Sequence, residues 1–172
     1  MSIKGVRILA TISHVDSRGD FVKTFSSALE DPEEDFVIAE AFYSSTVEGA
    51  ARGMHLQVGE AASNRLVSCI QGRIFDVLID LRTNSETFLQ SETISLGPNE
   101  VQSIYVPAGV AHGFVALENS ITHYISDKAH NPSLDKGVHL ESLGIDLPFK
   151  DLIMSDRDKE LPTLDFWLNS TK

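Results

Sequence analysis

A single cysteine, Cys69, stands among these 172 residues, so one chain can build neither an internal disulfide framework nor a cysteine-rich zinc site. Set in the apolar run LVSCI, it reads as a small buried hydrophobe. Positive charge is also scarce: 14 lysines and arginines face 25 aspartates and glutamates, a net of −11. That balance argues against general attraction to nucleic acid or to an anionic membrane, so an anionic ligand must be held by a few local arginines. No apolar run reaches the roughly eighteen residues of a membrane span. The opening MSIKGVRILATISHVDSRGD has neither the basic start nor the continuous apolar stretch of a secretory signal, and a soluble cytoplasmic protein is the expectation. Repeats, low-complexity tracts and linkers are missing too. The length suits one domain over 1–172, long enough to bury a core without disulfides or a structural metal.

What the chain has in plenty is short strand signals. Val6–Ile12, Phe21–Phe25, Phe36–Ser44, Arg65–Ile70, Ile74–Leu81, Glu92–Leu96, Val101–Val106, Gly113–Ala116 and Ile121–Ile125 follow one another closely, which reads as all-β. Gln71-Gly72, Thr83-Asn84-Ser85, Gly97-Pro98-Asn99 and Pro107-Ala108-Gly109 supply turn chemistry between them. From Ile74 to Leu81 the alternation sets Phe75, Val77, Ile79 and Leu81 on one face and Asp76, Asp80 and Arg82 on the other. Helix signals are few. SSALEDPEED offers a short turn or helix from Ser26, broken at Pro32, and SLDKGVHLESLGI and SDRDKELPTL are short, capped and polar. These features predict a β-barrel or sandwich with small helices near the C-terminus.

Candidate chemistry centres on two histidines. His55 follows Arg52-Gly53 at the end of AARGMHLQ, and PAGVAHGF is a tight turn that delivers His112 into the next strand. An isolated imidazole at a strand end is more often a satisfied structural residue than a ligand, so a functional role requires partners. Metal-carrying jelly-roll barrels usually offer an HxH pair, an acidic ligand and a distant histidine. Here Gln57 stands two residues after His55, leaving His55 and His112 as a poor metal set. General acid and base chemistry without a metal or other cofactor is the better reading.

RGMHLQ, RLVSCIQGRIFDVLIDLR, YVPAGVAHGF and MSDRDKELPTL, in that order, together with SRGDFVKTF near the start, resemble the dTDP-4-dehydrorhamnose 3,5-epimerase family. The resemblance covers nearly the whole chain. It implies a metal-free cupin double-stranded β-helix, a jelly-roll barrel, forming a homodimer whose N-terminal strands reach across to the partner. The implied activity is epimerisation of a nucleotide-diphospho-4-keto-6-deoxy sugar. A proton leaves the carbon beside the ketone and returns from the opposite face. By this resemblance His55 is the base, Asp158 its carboxylate partner and Tyr124 the acid. Arg65 stands where the family has a lysine beside the enolate oxygen; it supplies fixed charge but cannot give up a proton. Arg18 and Arg52 match residues holding the diphosphate, and Phe21, Ser44, Asp80, His112 and Phe114 match others lining the pocket. Asp80 also reads as a turn-facing surface carboxylate, and the two phenylalanines as plain core.

The chain departs from the family pattern inside that expected pocket. Lys23 replaces a glutamate associated with the nucleotide base, Glu40 and Phe42 replace a glutamine and an asparagine, and His130 replaces a second tyrosine. An ammonium at Lys23 only donates, so its hydrogen bonds to a base differ from those of a carboxylate. The departures leave three readings: a 3- and/or 5-epimerase, a 3,4-ketoisomerase working through a similar enediolate, or a non-catalytic barrel that binds sugar nucleotides.

Overall fold

The computed structural model describes residues 1–9, 11–26 and 36–170. The helix expected in SSALEDPEED lies, beyond Ser26, outside the described residues. In chain order the elements are β1 (Arg7–Ile8), β2 (Ile12–Asp16), β3 (Gly19–Lys23), β4 (Glu40–Thr46), β5 (Ala51–Gln57), β6 (Arg65–Gln71), β7 (Ile74–Asp80), β8 (Ser91–Leu96), β9 (Ser103–Val106), β10 (Val110–Ala116), β11 (Ser120–Ser126), β12 (Asp135–Gly137), α1 (Asp156–Lys159) and α2 (Leu164–Ser170). One sheet has the order β1-β9-β6-β11-β4, a second β12-β5-β10-β7-β8, and β2 and β3 form a separate hairpin.

The two sheets face each other. Val67, Cys69, Ile104 and Tyr124 from the first meet Ile74, Leu78, Leu96 and Phe114 from the second in one buried cluster, giving the all-β jelly roll of the cupin type. Cys69 has no exposed surface, and burial pushes its thiol up to about 11, so it is the inert small hydrophobe expected of it.

The second sheet is covered on its outer face as well. Val77, Ile79, Leu81, Ala111 and Val115 pack under Val138 and Leu140, with Leu147, Leu164 and Trp167 among the partly buried residues of the C-terminal segment against them. Two differences from the sequence-based expectation follow. Asp76 and Asp80, on the face toward the first sheet, are both fully buried, so Asp80 is not a turn-facing surface carboxylate. Strand β5, absent from the strands expected, shows no clean alternation because residues on both its faces are covered. SLDKGVHLESLGI divides into 3-10 turns at Pro132–Leu134 and Leu140–Leu143 around β12. SDRDKELPTL opens with α1, where the Ser155 hydroxyl accepts from the Asp158 N–H as an N-cap.

Strand parity places the site. Glu40, Phe42 and Ser44 on β4, His55 and Gln57 on β5, Arg65 on β6, and Tyr124 and Ser126 on β11 all line one cavity between the sheets. Their apolar counterparts fill the rest of the interior. The barrel is thus a packed core at one end and a polar pocket at the other.

Leu140 has no exposed surface and sits in the layer joining the C-terminal segment to the second sheet. Leu140→Ala should lower the unfolding free energy by about 2–5 kcal/mol. The measurement is the denaturant midpoint, which should fall with an unchanged slope.

Candidate active site

His55 and His112 sit opposite each other where β5 pairs with β10. The close approach depends on Gly53, whose φ is +103°; a Cβ there would lie 2.7 Å from both the Gly113 Cα and the His112 carbonyl oxygen. A side chain cannot be accommodated at that crossing, which accounts for the glycine in RGMH.

Asp158, carried by α1, reaches back to this crossing. Its Oδ1 lies 2.7 Å from His55 Nε2, and its Oδ2 accepts from the Gly53 N–H at 3.1 Å. Burial acts to raise the Asp158 pKa, but the hydrogen bonds from His55 and Gly53 outweigh it and hold the group below its ordinary value. An ionised carboxylate only accepts, so Nε2 of His55 carries the hydrogen and Nδ1 is left with its lone pair. The imidazole is oriented, partly exposed to the cavity, and equipped to take a proton.

Tyr124 faces it from the other sheet, on β11. Its ring stacks on Phe42 at 4.8 Å between centroids with a 14° interplanar angle, and meets His112 edge-on at 6.0 Å. Burial raises the phenol pKa, with the cations Arg52 and Arg65 only partly opposing it. Tyr124 therefore stays protonated at neutral pH. Arg65 lines the same cavity; burial lowers its pKa, and Asp135, Tyr124 and Glu40 oppose that effect. Among the described residues Arg65 forms no ion pair, and its one hydrogen bond is from Nε to Ser63 Oγ at 3.4 Å, so much of its charge is available to an oxyanion. Arg52 is braced by Thr46 Oγ1 at 2.9 Å and the Ser45 carbonyl at 3.1 Å, at the junction of this cavity with a second cleft.

Beneath them lies a second pair, His112 Nε2 to Asp76 Oδ1 at 2.6 Å, with both side chains almost fully enclosed. Burial raises the Asp76 pKa despite His112. Phe114 and His112 form the cavity floor, Ser44 and Glu40 one wall, and His130 part of the rim. The cavity holds about 380 Å³. Among the described residues no three His, Cys, Asp or Glu side chains converge as a metal-ligand set.

Not every expected residue arrives here. Asp80 does not line the cavity. It is buried and accepts hydrogen bonds from Arg82, Ser85 and Thr87, pinning the β7–β8 loop. Asp76, four residues earlier on the same strand face, does not line the cavity either but is the buried carboxylate bound to His112, which does. Arg18, Phe21 and Lys23 lie on the β2–β3 hairpin, away from this chain's own cavity. Arg18 is bound to Asp16 at 2.6 Å, and Phe21 is exposed and stacks on His14. Sequence reasoning also passed over Gln57, Lys128, Asp135 and Arg157, all of which line the cavity. Only Arg157 carried a signal, its position beside Asp158 in MSDRD.

The family model described as dTDP-4-dehydrorhamnose 3,5-epimerase matches residues 1–165. An enzyme of that name from Mycolicibacterium smegmatis is 32% identical over 168 residues, covering 95% of this chain and 84% of the relative. A crystal structure of a 4-keto-6-deoxy sugar epimerase from the novobiocin biosynthetic gene cluster of Streptomyces spheroides superposes with a TM-score of 0.93 at 28% identity, covering 99% of this chain and 88% of that one. A 3'-monoepimerase from Streptomyces bikiniensis in complex with dTDP-quinovose superposes with a TM-score of 0.91 at 26% identity, covering 99% and 89%.

The role of Asp80 in its loop is open to test. Burial alone would raise its pKa, but the bonds from Arg82, Ser85 and Thr87 overcome that and depress it strongly. A carboxylate with a depressed folded pKa stabilises above its unfolded value, near 3.9, and loses that contribution as pH falls toward the folded value. Asp80→Asn should cost on the order of 2 kcal/mol at pH 7, and the gap from the parent protein should shrink steadily below about pH 5. Denaturant titrations at pH 7 and pH 3 read both effects.

Proposed function

The chain belongs to the dTDP-4-dehydrorhamnose 3,5-epimerase family, and on that premise we propose that it inverts C3, C5 or both of a nucleotide-diphospho-4-keto-6-deoxy sugar, with His55 as base and Tyr124 as acid. It is an isomerase of the carbohydrate epimerase class. The observation that carries the assignment of roles is the His55–Asp158 pair on one sheet facing a buried, protonated Tyr124 on the other.

The chemistry follows from that asymmetry. A C–H bond beside the C4 ketone is acidic because its electron pair passes into the carbonyl as an enolate. His55 Nδ1 takes the proton, and Asp158 steadies the imidazolium that forms. Negative charge gathers on the C4 oxygen, where the Arg65 guanidinium compensates it electrostatically without itself donating a proton. Tyr124 then delivers its hydrogen to the same carbon from the opposite face, inverting the centre. Its phenolate, in a buried site, readily recovers a proton from solvent, while the imidazolium returns its own. No cofactor enters this scheme. On this reading Arg52, which lines both this cavity and the second cleft, holds the diphosphate.

Arg18, Phe21 and Lys23 belong to the same reading through a second copy of the chain. Among the described residues the β2–β3 hairpin makes its ladder only with itself, and β4 ends its sheet with an open edge carrying the exposed Phe42 and Tyr43. A homodimer in which each hairpin reaches the partner's pocket brings those residues to the nucleotide. The chain acts as one domain over 1–172, since the C-terminal segment both covers the second sheet and supplies Asp158. Among the described residues no helix is long and apolar enough to cross a membrane, and a cytoplasmic site suits a nucleotide-sugar substrate.

Proton NMR in deuterated water with dTDP-, GDP- and UDP-linked 4-keto-6-deoxyhexoses should show loss of the C3 signal, the C5 signal or both. Tight binding with every C–H signal retained would refute catalysis and leave a binding barrel. His55→Ala and Tyr124→Phe should each slow turnover to the inverted product by a factor on the order of 10² to 10⁴. Arg52→Ala should act chiefly on KM, because diphosphate contacts are made in ground and transition states alike; a kcat effect with KM unchanged would contradict that role.

A further inference from the structure

Three imidazoles line the cavity, and each meets a carboxylate: His55 with Asp158, His112 with Asp76, and His130 with Asp135. The scheme above uses the first and rests on the second. The third is unassigned, and its construction differs from the other two.

His130 Nε2 lies 3.1 Å from Asp135 Oδ2, and the same oxygen accepts from an Arg157 nitrogen at 2.6 Å. The Asp135 carboxylate is only 11% exposed, against 48% for the His130 side chain, so the anchor is buried while the ring is open to the cavity mouth. The loop carrying the ring is tied at two points. The His130 N–H donates to Glu40 Oε2 at 2.7 Å, and the Asn131 N–H donates to Gln57 Oε1 at 2.9 Å. These bonds fasten it to β4 and β5, both walls of the site. Consecutive residues of α1 therefore serve both exposed pairs, Arg157 through Asp135 and Asp158 through His55.

Chemistry decides what such a ring can do. The carboxylate accepts only, so Nε2 carries the hydrogen and Nδ1 presents a lone pair. Arg157 already pairs with the Asp135 oxygen that holds His130. Asp158 differs in that its second oxygen is taken by a neutral backbone N–H. With Nε2 taken by Asp135, Nδ1 of the ring is the acceptor it offers, and the donor that suits it on a ketosugar is a ring hydroxyl. We propose that His130 is a specificity-determining residue that accepts a hydrogen bond from a hydroxyl of the sugar ring, with Asp135 and Arg157 as positioning residues that set its tautomer and direction. The proposal rests on the reading of the cavity as a nucleotide-sugar site, but not on turnover.

Calorimetric titration with dTDP-glucose and its 2-deoxy and 3-deoxy counterparts tests it without requiring turnover. The parent protein should prefer dTDP-glucose over one of the deoxy sugars by about fivefold to tenfold, the scale of one hydrogen bond. His130→Ala should erase that preference while binding of the deoxy sugar stays within about twofold. Asp135→Ala should do the same, because it removes the acceptor that sets the ring's tautomer and direction. A merely structural role for Asp135 would instead weaken all three sugars together. Equal affinity of the parent for the three sugars, no binding of any, or a uniform loss in His130→Ala would overturn the proposal. Deuterium exchange on the same proteins separates the two readings: exchange absent with the preference intact removes only the epimerase, and preference absent with exchange intact removes only the role of His130.

Discussion

The carboxylate of Asp158 joins the parts of this molecule that function requires. It belongs to a four-residue helix near the C-terminus, yet its two oxygens are spent on His55 and on the Gly53 N–H at the centre of the barrel wall. Enclosing a carboxylate is costly unless each oxygen is satisfied by a directed donor, and here both are. The satisfied charge in turn fixes the imidazole tautomer, which settles the nitrogen that meets a substrate. The same contact anchors the C-terminal segment, whose apolar residues cover the outer face of the second sheet. Folding of that segment and assembly of the base are consequently one event.

The barrel interior is divided by a similar logic. Toward its packed end the inward rows are aliphatic, and at the cavity they change to imidazole, guanidinium, carboxylate and phenol without any change of strand. Asp76 and His112 stand at the border. Their hydrogen bond lets a polar pair persist among Cys69, Leu78 and Phe114, and it provides a firm floor against which Tyr124 is set edge-on. Asp76 Oδ2 has no partner among the described residues, consistent with the burial that raises this carboxyl's pKa. The region gives up some packing stability for polar placement, a usual exchange at sites of chemistry.

Most of the first sheet and the β7–β8 ladder were legible in the sequence, because alternation and turn residues mark them plainly. Strand β5 was not, since covering both faces removes the alternation that advertises a strand. His55, Asp158, Tyr124 and Arg65 were reached through motif resemblance, and their convergence on one cavity is a tertiary fact. Asp80 shows the limit of periodicity. A period of two puts residues 76, 78 and 80 on one face, and the register pairing His112 with Leu78 leaves Asp76 and Asp80 both one diagonal step from it; that Asp76 bonds His112 while Asp80 turns to Arg82, Ser85 and Thr87 is set by tertiary structure. Asp135 was illegible for another reason: it is an ordinary polar residue in a short segment until the fold brings a loop, a short strand and α1 together, and Arg157 was marked only by standing beside Asp158.

The two walls of the cavity hold their protons differently, and that difference gives the site its direction. On the β5 side the ionised Asp158 accepts the Nε2 hydrogen of His55 and leaves Nδ1 with its lone pair. On the β11 side burial between Phe42 and His112 opposes a phenolate, so that wall is built to stay neutral and to recover quickly after donating. Two imidazoles of equal environment would share protons without preference for either face. On the proposed reading, an imidazole on a carboxylate opposite a buried phenol sets removal at one face and delivery at the other, and the oxyanion that develops falls to Arg65, the one cavity guanidinium that, among the described residues, no carboxylate or backbone carbonyl has claimed.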